Sequence, residues 1–232
     1  MKEKILIGIT LHDSKSYIIK DFLENLKKIV DQPDTRVDVL MVDNSKDDTF
    51  ANWISSEYKY HFTILRHGYS YENSKERQCC ALNVIRKYML MNYYTHLFSL
   101  EADLLPESDI IYHLIDKDKD ACSAVYLLDK YRGIPCITKE NYVANNKVFP
   151  AVMVNHGFID GELKEAENGV GLGCVLIKRK VLEQIKFRTA TNHADTYFWE
   201  DAKAYGFKAF IDTSQIARHY PNKTKGDDKS GR

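Results

Sequence analysis

With 33 basic and 33 acidic side chains among its 232 residues, the chain carries no formal net charge. It therefore has no general nucleic-acid-binding charge signature and no general pull toward anionic membrane. Its length suits one α/β domain with a substantial core. No apolar run approaches the roughly 20 residues of a membrane span; with no signal peptide and no integral membrane segment in view, a cytoplasmic location is expected.

Residues 4–10 read as a buried strand, 11–14 as a loop, and 17–30 as a helix with apolar residues at Ile18, Ile19, Phe22, Leu23, Leu26 and Ile29. A strand over 37–42 runs into Asp43-Asn44-Ser45 and the acidic turn Asp47-Asp48-Thr49. A helix over 50–58, a strand over 62–66 and a long helix over 76–91 follow. This alternation with short links predicts an α/β fold: a mostly parallel central sheet with helices on both faces.

The next strand, Leu97-Phe98-Ser99-Leu100, leads directly to Glu101 and Asp103, which share one side of an extended chain before Pro106 ends it. Thr10, Asp43, Glu101 and Asp103 then all stand at strand ends. In a parallel sheet those ends line one edge, where open α/β sheets bind their ligands. A solvated acidic loop is the other reading of Glu101 and Asp103, because any doubly wound sheet has polar loops there.

A helix over 109–115 and a strand over 120–128 come next. Over 129–168 the pattern changes to short strand-like pieces, at 135–138 and 148–154, separated by Gly, Asn and Pro. This is the pattern of a small mixed subregion that shapes a substrate pocket. Gly169-Val170-Gly171-Leu172-Gly173 opens a strand over 175–177, and a helix over 179–185 follows. Such glycines permit close backbone approach to a ligand, or simply a tight turn; the spacing is not a dinucleotide fingerprint. Asp195 begins a helix with Phe198, Ala202 and Tyr205 on its buried face and Gly206 as its stop. A strand over 207–211 precedes a segment, 216–219, that ends in a lone His219, and 222–232 reads as a flexible tail. The five cysteines form no Cys-x-x-Cys pair, so reduced and mostly buried thiols are expected.

In this order the pieces resemble the GT-A glycosyltransferases, in particular the inverting family 2 type, over 4–219. Ile9-Thr10-Leu11-His12-Asp13 stands where that family has a Pro-x-Tyr-Asn-like loop, without the proline. Val42-Asp43-Asn44-Ser45 with Asp48-Thr49 is similar to its Val-Asp-x-x-Ser-x-Asp-x-Thr motif, whose first aspartate holds the nucleobase. Glu76-Arg77 heads its helix as the family's Ala-Arg-Asn does, and Glu101-Ala102-Asp103 takes the Asp-x-Asp position with Glu for the first Asp. Asp195-Thr196-Tyr197-Phe198 with Gly206 is similar to the late Asp-x-x-Phe…Gly block, and 212–219 to the ending that supplies a metal-binding histidine.

The resemblance implies a GT-A, Rossmann-like fold with a small mixed acceptor subregion. It implies a single domain over 1–221, with a nucleotide-sugar-binding half (1–128) and an acceptor and catalytic half (129–221). It also implies a metal-dependent inverting glycosyltransferase with a nucleoside-diphosphate sugar donor, UDP- or GDP-linked, and an unknown hydroxyl acceptor. Donor binding falls to Thr10, Asp43, Arg77, Glu101, Ala102 and Asp103, and Gly171, Gly173 and Trp199 belong to the acceptor or diphosphate loop. Asp103 and His219 are the metal ligands, and Asp195 is the catalytic base.

The chemistry asks for these residue types. A departing diphosphate needs a hard cation, Mn²⁺ or Mg²⁺, with oxygen ligands and open positions, and one imidazole ligand favours Mn²⁺. Inversion needs a carboxylate opposite the leaving group to take the acceptor proton. Plainer roles stand beside these: Asp195 as a helix cap, Arg77 as a surface arginine, Trp199 as packing, His219 as a structural histidine, and Glu200 or Asp201 in place of Asp195 as base. Two other functions remain open. A sugar-1-phosphate nucleotidyltransferase would carry a Gly-rich loop after the first strand, where 10–14 has no glycine. A catalytically inactive nucleotide-sugar binder would suit Glu101.

Overall fold

The computed structural model describes residues 3–33, 36–58, 62–67, 73–129, 134–135, 138–144, 147–152 and 158–221. The first strand, β1 (Lys4–Leu11), is buried at every residue from Ile5 to Ile9, so both of its faces are covered. Helix α1 (Ile19–Val30) packs through Ile19, Phe22, Leu23, Leu26 and Ile29, spaced as one face of a helix requires. Strand β2 (Arg36–Asp43) starts exposed and ends buried, and it pairs parallel with β1 from Lys4 opposite Arg36 to Leu11 opposite Asp43.

Helix α2 (Thr49–Glu57) and strand β3 (Thr63–Arg66) complete that side. Helix α3 (Ser74–Met91) then returns the chain to β4 (His96–Leu100), which is buried throughout. After β4 come β5 (Leu104–Leu105), α4 (Ile110–Asp116), β6 (Ala121–Val125) and β7 (Leu127–Asp129). Short antiparallel pieces follow: β8 (Ile134–Pro135), which pairs with β7, and β9 (Thr138–Ala144), which pairs with β10 (Lys147–Val152). The last elements are β11 (Leu163–Glu165), β12 (Cys174–Lys178), α5 (Arg179–Gln184), α6 (Ala194–Ala204), β13 (Ala209–Ile216) and β14 (Arg218–His219).

Eight strands form one sheet in the order β11-β13-β6-β12-β4-β1-β2-β3. The run from β4 to β3 is parallel, as is the pair of β6 and β13. Strand β12 is antiparallel to both of its neighbours, with Cys174 opposite Leu100. It therefore begins at the sheet edge where β1, β2 and β4 end. That inversion carries the glycine turn before Cys174 to the same edge as Asp43, Glu101 and Asp103.

Several sequence expectations are corrected. The strand expected over 120–128 is broken at Tyr126 into β6 and β7. The strand expected over 207–211 starts at Ala209 and continues to Ile216, with its register against β6 shifting between Asp212 and Ile216. The loop at 11–14 contains a 3₁₀ turn, Asp13–Lys15, and the first helix starts at Ile19. Tyr205 is not on a buried face; it is 62% exposed, because it sits where α6 stops and the chain reverses through Gly206 at φ +81°. Cys79, Cys122 and Cys174 are buried thiols outside any disulfide, and Cys80 is a partly buried one. Cys136, residues 136–137 and 153–154 of the expected short strands, and the tail over 222–232 lie outside the described residues. No helix among the described residues is long and apolar enough to cross a membrane.

Candidate active site

The end of β2 is built around Asp43. This residue has no exposed surface, and its Oδ1 accepts hydrogen bonds from the Ser45 amide (3.2 Å) and the Ser45 hydroxyl (2.6 Å). Ser45 Oγ in turn accepts from the Asp13 amide at 2.9 Å, and Arg66 donates to the carbonyls of Ser45 (3.2 Å) and Lys46 (3.1 Å). The lip is pinned from both sides, yet Asp43 Oδ2 is buried with no partner. An orphaned buried carboxylate oxygen is costly unless something outside the chain donates to it. Thr10, half-buried, lies one residue earlier in the register, opposite Val42.

The end of β4 is tied to the start of β12: the Glu101 amide donates to Gly173 O at 2.8 Å. Ala102 is buried and the chain turns back with Leu104 N–H on Glu101 O at 3.1 Å. Asp103 is 3% exposed. Its Oδ2 is in contact with Lys15 Nζ, lies 3.5 Å from His219 Nε2 and 3.5 Å from the Tyr17 hydroxyl, while Oδ1 is buried without a partner. His219 arrives on β14, which pairs with β5 so that His219 faces Leu104. Its Nδ1–H donates to Leu127 O at 2.8 Å, which leaves Nε2 to address Asp103 and fixes the tautomer a metal-binding imidazole needs. Tyr220 N–H donates to Asp103 O (2.9 Å) and Tyr17 O–H to Tyr220 O (2.6 Å).

The charges couple. Burial alone would raise the Asp103 carboxyl, but the His219 hydrogen bond and the Lys15 ammonium outweigh it and hold the group below its usual range. The Asp103 bond raises the His219 imidazole against its own burial. Burial first, and the neighbouring Asp103 charge second, push Glu101 up to about 7. Asp195 is among the charges that act on Glu101, together with Lys15 and His219.

Asp195 lies in the first turn of α6, whose N-cap is His193. It does not cap the helix; its Oδ1 accepts from the adjacent Thr196 amide at 2.8 Å. Glu200 is exposed and 3.8 Å from Arg188, while Asp201 receives two Arg188 bonds at 2.7 and 2.9 Å. Arg77, half-buried, is in the first turn of α3. Because α3 runs back between the parallel strands β3 and β4, that turn is at the same edge of the sheet.

The glycine loop is packed against the protein. Trp199 is 5% exposed and its indole N–H donates to Val170 O, so it is packing beneath the 169–173 turn and offers no open ring face for stacking. Gly169, at φ +90°, lies directly on that ring and a Cβ there would overlap it. Gly173 is also shaped for protein contact, since a Cβ would lie 2.8 Å from Leu104 Cδ1 and 2.9 Å from the Tyr126 hydroxyl. Gly171 keeps some exposure in the turn.

Sequence reasoning missed Lys15 and Tyr17, whose only signal was a basic and an aromatic residue in the first loop at the ligand edge. It also missed Asp212, fully buried, whose Oδ1 is held by Ser214 N (3.0 Å) and Oγ (2.7 Å) and whose Oδ2 is 3.0 Å from Lys117 Nζ. Among the described residues no group of three or more His, Cys, Asp or Glu is poised for a metal. Asp103, whose Oδ2 faces His219 Nε2 at 3.5 Å, and that imidazole nonetheless fit a Mn²⁺ or Mg²⁺ ion that draws its other ligands from phosphate and water.

No protein-family model matches the chain, and a search of curated proteins returns no match. Solved structures do match. S. aureus TarS 1–349 aligns with 93% of this chain and 60% of its own at 16% identity and a TM-score of 0.58. Its complex with UDP-GlcNAc aligns over 94% and 59%, with 16% identity and a TM-score of 0.57. The mannosyltransferase PcManGT from Pyrobaculum calidifontis, in complex with GDP-Man and Mn²⁺, aligns over 96% and 59% at 16% identity and a TM-score of 0.63. The chain thus spans about 60% of the length of the structures it matches. Sheet order, the inverted β12 and these alignments agree: the chain has the GT-A, Rossmann-like glycosyltransferase fold.

Proposed function

We propose that the chain transfers a sugar from a nucleoside-diphosphate sugar to an acceptor hydroxyl with inversion, in the manner of family 2 glycosyltransferases. The observation that carries this is the pairing of buried Asp103 with His219, whose Nδ1–H is spent on Leu127 O so that Nε2 turns to the carboxylate at 3.5 Å. The neighbours bound to UDP-GlcNAc and to GDP-Man with Mn²⁺ support the donor class and the cation. Residues 1–128 would serve the donor and 129–221 the acceptor and the chemistry.

Asp43 Oδ2, buried without a partner, accepts a base N–H, which suits uracil and guanine alike. Thr10 borders the same lip, and Arg77 at the head of α3 faces the diphosphate with a fork suited to phosphate oxygens. Asp103 and His219 hold the divalent cation, which when bound supplies Lewis-acid stabilisation of the departing diphosphate. Glu101, with its carboxyl raised to about 7, is well placed to meet ribose hydroxyls or water in either protonation state. Asp195, in the first turn of α6, takes the proton from the acceptor hydroxyl as it attacks.

The test is a thermal-shift and donor-hydrolysis panel of UDP-, GDP- and CDP-sugars, each with and without Mn²⁺. Metal-dependent stabilisation by one nucleotide class, with slow donor hydrolysis, is the expected result. Stabilisation without any turnover would identify an inactive nucleotide-sugar binder, the second reading that Glu101 keeps open. No response to any nucleotide sugar would end the proposal.

A further inference from the structure

We propose that Lys15 is a tethered cation that holds the metal-facing oxygen of Asp103 in the ligand-free chain and must release it before a divalent ion binds, so that metal and donor diphosphate bind in concert. This rests on the metal-dependent function above.

The same oxygen, Asp103 Oδ2, meets Lys15 Nζ and faces His219 Nε2. A carboxylate that is only 3% exposed needs a positive partner when no metal is present. Lys15 fills that need from the 3₁₀ turn after β1, and it does so asymmetrically. The stem is fixed: Lys15 N–H donates to His12 O at 3.0 Å, Ser14 N–H to His12 Nδ1 at 3.1 Å, and Asp13 N–H to Ser45 Oγ at 2.9 Å. The head is free to move, since the side chain keeps about a third of its surface (32%) and hangs on a flexible four-carbon arm.

An ammonium offers three donors and no lone pair, so it cannot become a ligand of the divalent ion, and beside Oδ2 its charge repels that ion at close range. The ammonium therefore competes with the ion for the same oxygen. The turn that carries Lys15 is also the turn bonded to Ser45, beside Asp43. A donor whose base sits at Asp43 would therefore bring its diphosphate within the sweep of the same arm. The phosphates would receive the displaced ammonium and complete the metal's ligands together. Metal and nucleotide affinities are then coupled through one lysine, and the coupling is reciprocal.

The probe is Mn²⁺ alone, followed by electron paramagnetic resonance on the full chain without nucleotide, and then with saturating UDP. Wild type is compared with Lys15→Met, Lys15→Gln and Lys15→Arg, and Asp103→Asn serves as the blank. Without nucleotide, Lys15→Met and Lys15→Gln should bind Mn²⁺ about tenfold more tightly than wild type, within the usual span of such couplings. Lys15→Arg, which keeps the charge, should stay near wild type. UDP should strengthen Mn²⁺ binding by a larger factor in wild type than in either neutral variant. Equal or weaker Mn²⁺ binding by both neutral variants without nucleotide overturns the role of Lys15, even if wild type binds Mn²⁺ with UDP and the proposed function stands. Absence of Mn²⁺ binding in every variant, with and without UDP, overturns both.

Discussion

The amide of Glu101 donates to the carbonyl of Gly173 at 2.8 Å, which locks the turn leaving β4 to the turn entering β12. Gly173 also presses on Leu104 and the Tyr126 hydroxyl, with its own amide donating to that hydroxyl at 3.2 Å. Gly173→Ala would push Leu104, and with it Asp103, away from His219. The expected outcome is a stability loss of about 2 kcal/mol, in the range for overpacking, with weaker metal-dependent donor binding. Urea unfolding and calorimetric titration of Mn²⁺ with UDP check both.

Asp103→Asn should abolish metal-dependent donor binding. Removing a direct ligand should cost at least about 100-fold in affinity, the upper end of what losing only an outer partner costs. The thermal shift given by Mn²⁺ with the responsive nucleotide sugar is the measurement.

Asp195→Asn should leave that thermal shift intact and lower transfer by roughly 10²- to 10⁴-fold, the usual contribution of a general base. Glu200→Gln, at an exposed position beside Arg188, should retain near-normal turnover. The reverse pattern would move the base to Glu200.

The pH dependence follows from the half-buried Glu101 carboxyl. Glu101 is raised from 4.5 to about 7, so the folded chain holds a proton that the unfolded chain has released. Stability from this group is greatest below 4.5 and falls as pH rises toward 7. His219, raised above 6.5, acts in the same direction: its contribution is complete below 6.5 and is lost as pH rises through its folded value. Asp103, lowered, contributes above 3.8 and loses that contribution only as pH falls through its depressed value. Metal-free protein should therefore be more stable at pH near 5 than near 8 as far as this site is concerned. Glu101→Gln should remove on the order of 2 kcal/mol of that difference, seen as a flatter profile of Tm against pH. Parallel profiles for wild type and variant would refute the assignment.

Gly169→Ala meets two penalties at once, a positive φ and the Trp199 ring. A loss of about 3 kcal/mol is expected, measured by urea unfolding. Trp199→Phe, which keeps an aromatic ring and gives up the bond to Val170 O, should lose less, about 1 kcal/mol.

The parallel half of the fold was legible because its strands are short, apolar and followed at once by polar groups, as at Val42-Asp43 and Leu100-Glu101. Strand direction was not. Cys174–Lys178 is as apolar as β4, and only the turn that delivers it to the ligand edge decides that it runs the other way. Asp43 and Asp103 could be read as candidate site residues because polar groups at the ends of several parallel strands converge on one edge. Lys15 could not, since a lysine in a loop looks like any solvated lysine until the fold closes it on Asp103. For Trp199 the sequence left packing and a place in the loop side by side, and the partners that show the packing, Gly169 and Val170 O, are remote in sequence.

The ribbon of β5 and β14 is two residues wide on each side, and it joins an early segment to a late one. The carboxylates follow β4 in sequence, whereas the imidazole arrives only on β14, after β13. Such a closure spans a long loop whose entropy must be overcome before the contact returns anything. A chain folded only as far as β6 lacks β12 between β4 and β6, the Gly173 carbonyl that takes the Glu101 amide, and His219, and so has no site. A cation that needs both halves binds the finished state alone and adds RT ln(1 + [L]/Kd) to its stability. Metal occupancy at Asp103 and His219, where the proposed function puts it, would therefore also report that the last strand has been laid down.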